Sequence, residues 1–417
     1  MHIVFVTSEL ATKNISTGGL GTFTANMARI FAGKGHEVDI LLVSTKEQLI
    51  EFDDNIHVEN VMIPMNEWQE VDFIAKQLSK GDEDKSITIR RFSNILYKAE
   101  KTAEYIRNID GRSRIDIVHY SNHGAFALFA DKKIPYVIRI SGFLNIWHGA
   151  NHLDKRLTFL DNPEKYNEKI EHAVLKRARN VIAPSKVLAG MGEKELGIKH
   201  IEVIESPYMH HESEWDTKIH DRYLRDKKYI IHFGNLKYMK GIHIVAGIVK
   251  KLLEAHPDLY MVLAGNDNDL YESIGEHIKA SEMVLRAAGE NSDRVMYVGK
   301  INREQLYPLI KNSMVCILPS RIENLSNACI EAMAMGKIVV ATNGASYEQL
   351  IEDGVNGFLR ERDNSDSFLE GIERAIALSE EEKEKVSINA KRTVERLSPD
   401  NIYEKYLNYY QKVIKEW

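Results

Sequence analysis

The chain has 417 residues, 44% of them hydrophobic and 28% charged, with a net charge of −6. That length is too great for one ordinary core, so two domains are expected. The balance is that of a globular chain and gives no global pull toward nucleic acid.

The first apolar run, residues 2–7, is too short for a signal-peptide core or a membrane span and reads as a buried strand. No later run reaches the roughly 18 residues a membrane helix needs, so a cytoplasmic location is expected. Further strands are predicted at 37–43, 57–63, 116–119, 136–140, 181–184 and 202–204. A helix is predicted over 20–31, with Leu20, Phe23, Met27, Ile30 and Phe31 on one face and Gly33 and Gly35 as its stop. Another is predicted over 163–179. Residues 206–228 are polar with little apolar periodicity and read as a linker. The second half repeats the plan. Strands are predicted at 229–234, 259–264, 294–298, 315–319 and 338–341, and helices at 242–255, 269–288, 303–311, 327–335 and 346–352. Three helical segments close the chain, at 365–378, 380–397 and 399–417. Strand alternating with helix argues for parallel sheets covered on both faces. The fold class is therefore α/β, with two doubly wound, Rossmann-like domains at 1–205 and 229–398. Cys316 and Cys329 stand among apolar or small residues and read as packed thiols in a reducing compartment. No Cys/His cluster has zinc-ligand spacing.

Three places carry chemistry. After the first strand comes Thr17-Gly18-Gly19-Leu20-Gly21, then a helix. Adjacent glycines let a ligand approach the backbone, and the helix N-terminus offers free N–H groups suited to a diphosphate. A plain flexible turn is the alternative. The spacing is not G-x-G-x-x-G, and no acidic residue ends the second strand, which weighs against a nicotinamide dinucleotide. In the second half, His232-Phe233-Gly234-Asn235-Leu236-Lys237-Tyr238-Met239-Lys240-Gly241 follows a strand. The third place is Pro319-Ser320-Arg321-Ile322-Glu323-Asn324-Leu325-Ser326-Asn327-Ala328-Cys329-Ile330-Glu331-Ala332-Met333-Ala334-Met335-Gly336. There a strand ends in a polar loop that opens a helix, with Ser326 as its cap. Ligands of open α/β sheets bind outside the carboxyl ends of strands, where this loop must lie. A carboxylate there can accept hydrogen bonds from two sugar hydroxyls.

Glu323 and Glu331, seven residues apart and followed by Ala-Met-Ala-x-Gly, resemble the E-x7-E motif of family-4 glycosyltransferases. The Lys240-Gly241 loop, residues 260–265, Val298-Gly299 and Glu352-Asp353-Gly354-Val355-Asn356-Gly357-Phe358 also fit that family. The resemblance covers most of 229–362. Over 1–205 it is looser, carried by Gly18-Gly19 and residues 178–185. It implies a GT-B fold, two Rossmann-like domains facing a central cleft, and a last helix at 399–417 that crosses back to the N-terminal domain. It implies retention of configuration, a nucleotide-diphosphate sugar as donor, and neither metal nor other cofactor. Asp267-Asn268-Asp269 has the spacing of a metal motif but reads as a loop with a helix cap.

The resemblance also implies roles. Glu323 contacts hydroxyls of the donor sugar, and Glu331 the ribose. Backbone amides of Asn324, Leu325, Ser326 and Asn327 meet the sugar and phosphates. Lys240 binds the β-phosphate of the leaving group, a point charge that stabilises the anion as the glycosidic bond breaks. Gly299, Lys300 and Ile301 contact the nucleobase, largely through backbone. His123 faces the donor sugar, with His119 as second candidate. Arg139, Ser141 and Gly142 end a strand and are candidates for the acceptor. One residue departs from the family: Asn235 stands where an arginine is usual on the donor diphosphate, and Lys237 is the nearest substitute. The acceptor is a glycan, a lipid-linked molecule or a small molecule, and loop 142–160 has no readable pattern. Lys176, Arg177 and Arg179 suit either a helix-end dipole or a peripheral membrane contact. A GT-B sugar-nucleotide epimerase and a non-catalytic sugar-nucleotide or glycan binder stay open as alternatives. Nothing in the residues speaks to oligomeric state.

Overall fold

The apolar runs of the first half become the parallel strands β1 (His2–Thr7), β2 (Glu37–Ser44), β3 (His57–Met62), β4 (Ile117–Ser121), β5 (Tyr136–Arg139), β6 (Val181–Ala183) and β7 (Ile201–Val203). Those of the second half become β8 (Lys228–Phe233), β9 (Leu259–Ala264), β10 (Asp269–Tyr271), β11 (His277–Lys279), β12 (Val295–Tyr297), β13 (Val315–Leu318), β14 (Ile338–Thr342) and β15 (Phe358–Arg360). The structure is a computed structural model and describes residues 1–12, 15, 17–44, 51–62, 65–152, 166–209, 214–271 and 277–417. Residues 63, 153–160, 163–165, 210–213 and 272–276, on which expectations fell, lie outside the described residues. The chain divides into unit 1 (Met1–Asn145, Phe159–Met209, Ser398–Trp417) and unit 2 (Ile146–Thr158, His210–Leu397).

In unit 1 the sheet order is β3-β2-β1-β4-β5-β6-β7, all parallel. Every residue of β1 is buried, as a strand covered on both faces requires. The order reverses between β1 and β4, and at such a switch point a crevice opens beyond the strand ends. The Gly18-Gly19 turn follows β1 and the His123 turn follows β4, so both segments leave the sheet at that crevice. The helix Gly19–Gly33 buries Phe23, Met27, Ile30 and Phe31. The closing helix Pro399–Glu416 belongs to this unit and buries Ile402, Tyr403, Tyr406, Tyr410 and Val413. Leu407 and Ile414 of the same helix are only half-buried.

In unit 2 the order is β12-β9-β8-β13-β14-β15, again parallel, with its switch between β8 and β13. The Lys240 loop follows β8 and the Glu323 loop follows β13. The helix Ile242–Ala255 covers one face, burying Ile242, Ile244, Val245, Ile248, Val249, Leu252 and Leu253. Each such side chain contributes about 1.5–3 kcal/mol of burial.

Several expectations are corrected. The helix expected over 269–288 is shorter, Ala280–Ala288, and β10 and β11 form an antiparallel hairpin before it. The N-cap of that helix is Lys279, with no side-chain cap; Asp267, from the loop after β9, instead ties its first turn by accepting from Ser281 N at 3.0 Å and from Ser281 Oγ at 2.6 Å. The helix expected over 346–352 is a single 3-10 turn, Tyr347–Gln349, because Ser346 takes a left-handed conformation (φ 68°). Two helices, Met65–Ser79 and Glu83–Arg112, and the strand β15 had not been anticipated. Among the described residues no helix is long and apolar enough to cross a membrane.

Candidate active site

The switch point of unit 2 brings two loops together. Gly241 has φ +79°, and a Cβ there would lie 1.9 Å from Pro319 O. The turn Tyr238–Lys240 can therefore lie against the end of β13 only because residue 241 is glycine. Arg321 N donates to Met239 O at 2.8 Å, tying the same turn to the loop after β13. The result is a 2.7 Å ion pair between Lys240 Nζ and Glu323 Oε1. Their side chains are 26% and 12% exposed, so both remain reachable by a ligand.

Glu323 is held from three further directions. Ser320 Oγ donates to Oε1 at 2.8 Å, and Tyr347 OH lies 3.3 Å from the same atom. Tyr347 OH also donates to Ser320 Oγ at 3.0 Å, and Ser346 Oγ donates to Glu323 O at 2.7 Å. Burial first, and the neighbouring Glu323 charge second, hold the Tyr347 phenol well above its ordinary pKa. It therefore stays a donor. One carboxylate oxygen of Glu323 is thus fixed by protein partners, and the group is oriented before any ligand arrives.

Glu331 lies on the helix Asn327–Ala334, which Ser326 caps by accepting from Cys329 N at 3.3 Å. The first-turn amides of that helix face the loop, a ready anion site. Glu331 Oε1 is 3.5 Å from Arg303 Nε and 3.5 Å from Tyr307 OH. Burial raises its pKa, partly offset by the Arg303 charge and the Tyr307 hydroxyl. Asn235 is exposed after Gly234 (φ 121°), and Lys300 is exposed after Gly299 (φ 85°), with Ile301 half-buried beside it. Tyr297 OH donates to Gly265 O at 2.9 Å, and Gly265 N donates to Gly299 O at 2.9 Å, which knits the strand ends of β9 and β12.

Sequence reasoning missed several partners. Ser320 and Tyr347, which hold Glu323, come from loops far apart in the chain. Arg321 is 5% exposed; its Nε bonds Asp363 at 3.0 Å, and Nη1 bonds Ala150 O at 3.1 Å and His152 O at 3.0 Å. All these residues belong to unit 2. The only signal for Arg321 was its place inside the motif.

In unit 1, Gly18 is the N-cap of the helix Gly19–Gly33, and Gly18 and Gly19 are exposed. Gly21, not Gly19, is the glycine that packing demands. A Cβ there would lie 2.2 Å from Thr17 Oγ1 and 3.0 Å from the Glu9 carbonyl carbon. His123 begins the 3-10 segment His123–Phe129 and is 3.7 Å from Glu171 Oε2. His119 is 3% exposed, bonded through Nδ1 to Tyr410 OH at 2.6 Å, with Phe5, Phe23 and Tyr406 around it. It is a core residue. Arg139 is 4% exposed, with its guanidinium carbon 3.7 Å from the centre of the Phe23 ring. It donates to Ser141 Oγ at 3.3 Å and to Ser206 Oγ at 2.9 Å. Asn122 ties this region together: its Oδ1 accepts from Ser141 N at 2.7 Å and its Nδ2 donates to Gly142 O at 3.0 Å.

Two family models match the chain. "Glycosyl transferases group 1" matches residues 216–393, and "Glycosyltransferase Family 4" matches residues 17–208. The lipopolysaccharide 1,2-N-acetylglucosaminetransferase of Salmonella typhimurium is 24% identical over 245 residues, 57% of this chain and 62% of that protein. The chain spans between 49% and 62% of the length of the first curated relatives it matches. Among solved structures, sucrose-phosphate synthase of Thermosynechococcus elongatus superposes with a TM-score of 0.70 at 16% identity, over 100% of this chain and 99% of that one. Anabaena HepE in complex with UDP-glucose superposes with a TM-score of 0.65 at 18% identity, over 99% and 100%. The two units thus have the GT-B architecture.

Proposed function

Because this chain belongs to the family-4, group 1 glycosyltransferases, whose two models match its two halves, we propose that it moves a sugar from a nucleoside-diphosphate donor to an acceptor hydroxyl with retention of configuration. The observation that carries this reading is the Lys240–Glu323 pair at the strand ends of β8 and β13. A cation and an oriented carboxylate side by side suit a ligand that is anionic at one end and rich in hydroxyls at the other.

In the proposed reaction Lys240 binds the β-phosphate, and the amides of Asn324, Leu325, Ser326 and Asn327 share the charge. Glu323 accepts hydrogen bonds from sugar hydroxyls through its less occupied oxygen. Glu331 takes the ribose hydroxyls, and the backbone around Gly299, Lys300 and Ile301 the base. In unit 1, Gly18 and Gly19 offer backbone to a diphosphate, and His123 offers an imidazole to a sugar hydroxyl. The bond between the anomeric carbon and the diphosphate oxygen breaks, and the acceptor oxygen bonds to that carbon on the same face. The acceptor's proton passes to the departing diphosphate. Metal plays no part in this proposal, so Lys240 and the amides carry the whole load of leaving-group charge. Asn235 removes one cation from that load relative to the family pattern. For the acceptor, a glycan, lipid-linked or small-molecule hydroxyl, the proposed contacts lie at Ser141 and Gly142, with Arg139 fixing Ser141 from beneath.

The test is a panel of nucleotide sugars, read by binding, donor hydrolysis and the anomeric configuration of the product. One donor bound and turned over with retention is the expected result. An inverted product, or no binding of any nucleotide sugar, overturns the reading.

Glu331 supplies a second prediction. Its folded-state pKa lies above the unfolded one, so ionising it costs folding free energy once the pH exceeds the ordinary carboxylate range. That penalty is absent in acid and grows as the pH rises through the raised pKa. Glu331→Gln therefore leaves the thermal midpoint unchanged or higher at pH 7. The same change removes charged hydrogen bonds to the ribose, worth about 1.5–3 kcal/mol, so nucleotide affinity falls roughly 10- to 100-fold. Paired calorimetric melts and titrations check both signs. A variant that melts lower and binds normally contradicts the assignment.

A further inference from the structure

The helix Tyr166–Arg177 buries two carboxylates three residues apart: Glu168 is 1% exposed and Glu171 5%. A buried carboxylate is costly unless it is hydrogen-bonded, so each must have a use. Glu168 serves a helix start: its Oε1 accepts from Asn145 N, in the first turn of the helix Leu144–Ala150, at 2.8 Å. Glu171 Oε1 accepts from Gly124 N at 2.7 Å, and its Oε2 lies 3.7 Å from His123 Nδ1.

The turn that Glu171 grips is not one the backbone adopts freely. Gly124 has φ +83°, and Ala125, which has a Cβ, has φ +53°. A Cβ at Gly124 would lie 2.5 Å from the Phe126 ring. A non-glycine residue at positive φ is strained and persists only where its surroundings over-determine it. Here the charge-assisted bond from Glu171 to Gly124 N supplies that constraint on one side. Asn122, bonded to Ser141 N and Gly142 O, supplies it on the other.

We infer that Glu171 is the positioning residue for His123: its carboxylate locks the strained Gly124–Ala125 turn and orients the imidazole. The 3.7 Å separation is too long for a hydrogen bond. The carboxylate therefore places the imidazole through the Gly124 turn that it holds, not through a bond to the ring itself. The catalytic consequence rests on the transferase reading; the structural claim does not.

The test is a double-mutant cycle of Glu171→Ala with His123→Ala, with Glu171→Gln and Glu168→Ala alongside. Glu171→Ala is expected to lower kcat on the order of 10²-fold, since misplacement of about 1 Å has that effect, with donor KM little changed. In the His123→Ala background the same change adds less than about two-fold, because the residue it positions is gone. Glu171→Gln keeps the acceptor for Gly124 N and loses only the charge, so it recovers most of the loss. Glu168→Ala, equally buried on the same helix, multiplies with His123→Ala. Equal losses from Glu171→Ala with and without His123 overturn the inference.

Amide hydrogen exchange provides a readout independent of turnover. Gly124 loses protection in Glu171→Ala and keeps it in Glu171→Gln, and unchanged protection in both overturns the structural claim. If the wild type turns over no nucleotide sugar, the transferase reading fails by itself, and the exchange result still decides the role of Glu171.

Discussion

Lys240→Ala is expected to lower turnover by on the order of 10²–10³-fold, the loss seen when one preorganised group is removed from a developing anion. In the free protein the lysine is paired with Glu323 at 2.7 Å. In the proposed reaction the donor diphosphate competes for the same cation, so the charge shifts from carboxylate to phosphate as the bond breaks. The effect belongs to kcat more than to donor affinity, because the leaving group is most anionic late in the reaction. Stability falls modestly: Ser320 and Tyr347 still hold Glu323, but its carboxylate is only 12% exposed, so loss of the charged bond costs about 1.5–3 kcal/mol. Lys240→Arg keeps the charge but replaces a point charge with a planar fork, and it recovers only part of the rate. Single-turnover kinetics with the donor identified by the panel separates binding from chemistry. A kcat within about three-fold of the wild type removes Lys240 from the leaving group. Asn235 takes the place of a second cation, which leaves Lys237, three residues before Lys240, as the nearest understudy.

The parts of this architecture legible in sequence are those whose signal is local. β1 is a continuous apolar run because both faces of its sheet are covered, and β13 announces itself the same way. The spacing of Glu323 and Glu331 places one in a loop and one in a helix whatever the rest of the chain does. The β10–β11 hairpin shows how a local signal deceives. Leu270 and Ile278 are eight residues apart, which suits one face of a helix, yet they pair across the hairpin and are both buried. The helices Met65–Ser79 and Glu83–Arg112 escaped because their apolar periodicity is blurred: Phe73, Ile74, Leu78 and Phe92 are exposed. Partners brought together by tertiary structure left no local trace. Nothing near Glu323 in sequence points to Tyr347, and nothing near His123 points to Glu171. The two histidines of the β4 segment illustrate the limit. His119 and His123 read alike in sequence, and only packing separates a ring enclosed by Tyr406 and Tyr410 from one at the head of a strained turn.

Deleting residues 398–417 is expected to unfold unit 1 at room temperature. The helix Pro399–Glu416 buries Ile402, Tyr403, Tyr406, Tyr410 and Val413 within that unit. At about 1.5–3 kcal/mol each, their loss is roughly 8–15 kcal/mol before relaxation, the size of a whole domain's stability. Finer changes apportion this. Tyr410→Ala is expected to cost about 3–5 kcal/mol as a cavity. Tyr410→Phe removes only the bond to His119 Nδ1, about 1 kcal/mol. The imidazole also sets the acid limit of the unit. Burial, aided by the Arg139 charge, holds the His119 pKa down to about 3, below the value of about 6.5 for an unfolded histidine. The unfolded chain thus binds the extra proton first. The stability is fully present above pH 6.5 and is lost progressively as the pH falls toward 3, by about 2 kcal/mol at pH 5. In unit 2 His232, bonded to Ile317 O and held down to about 4 mainly by burial, gives the same sign of dependence. Because burial rather than Tyr410 depresses the His119 pKa, Tyr410→Phe should lower the melting curve at every pH without removing its acid slope. Urea melts at pH 7.5 and 5 test these points together. A truncated chain that melts with the full chain's midpoint at pH 7.5 denies the helix its place in the core of unit 1. A wild type equally stable at both pH values denies that the buried histidines stay neutral.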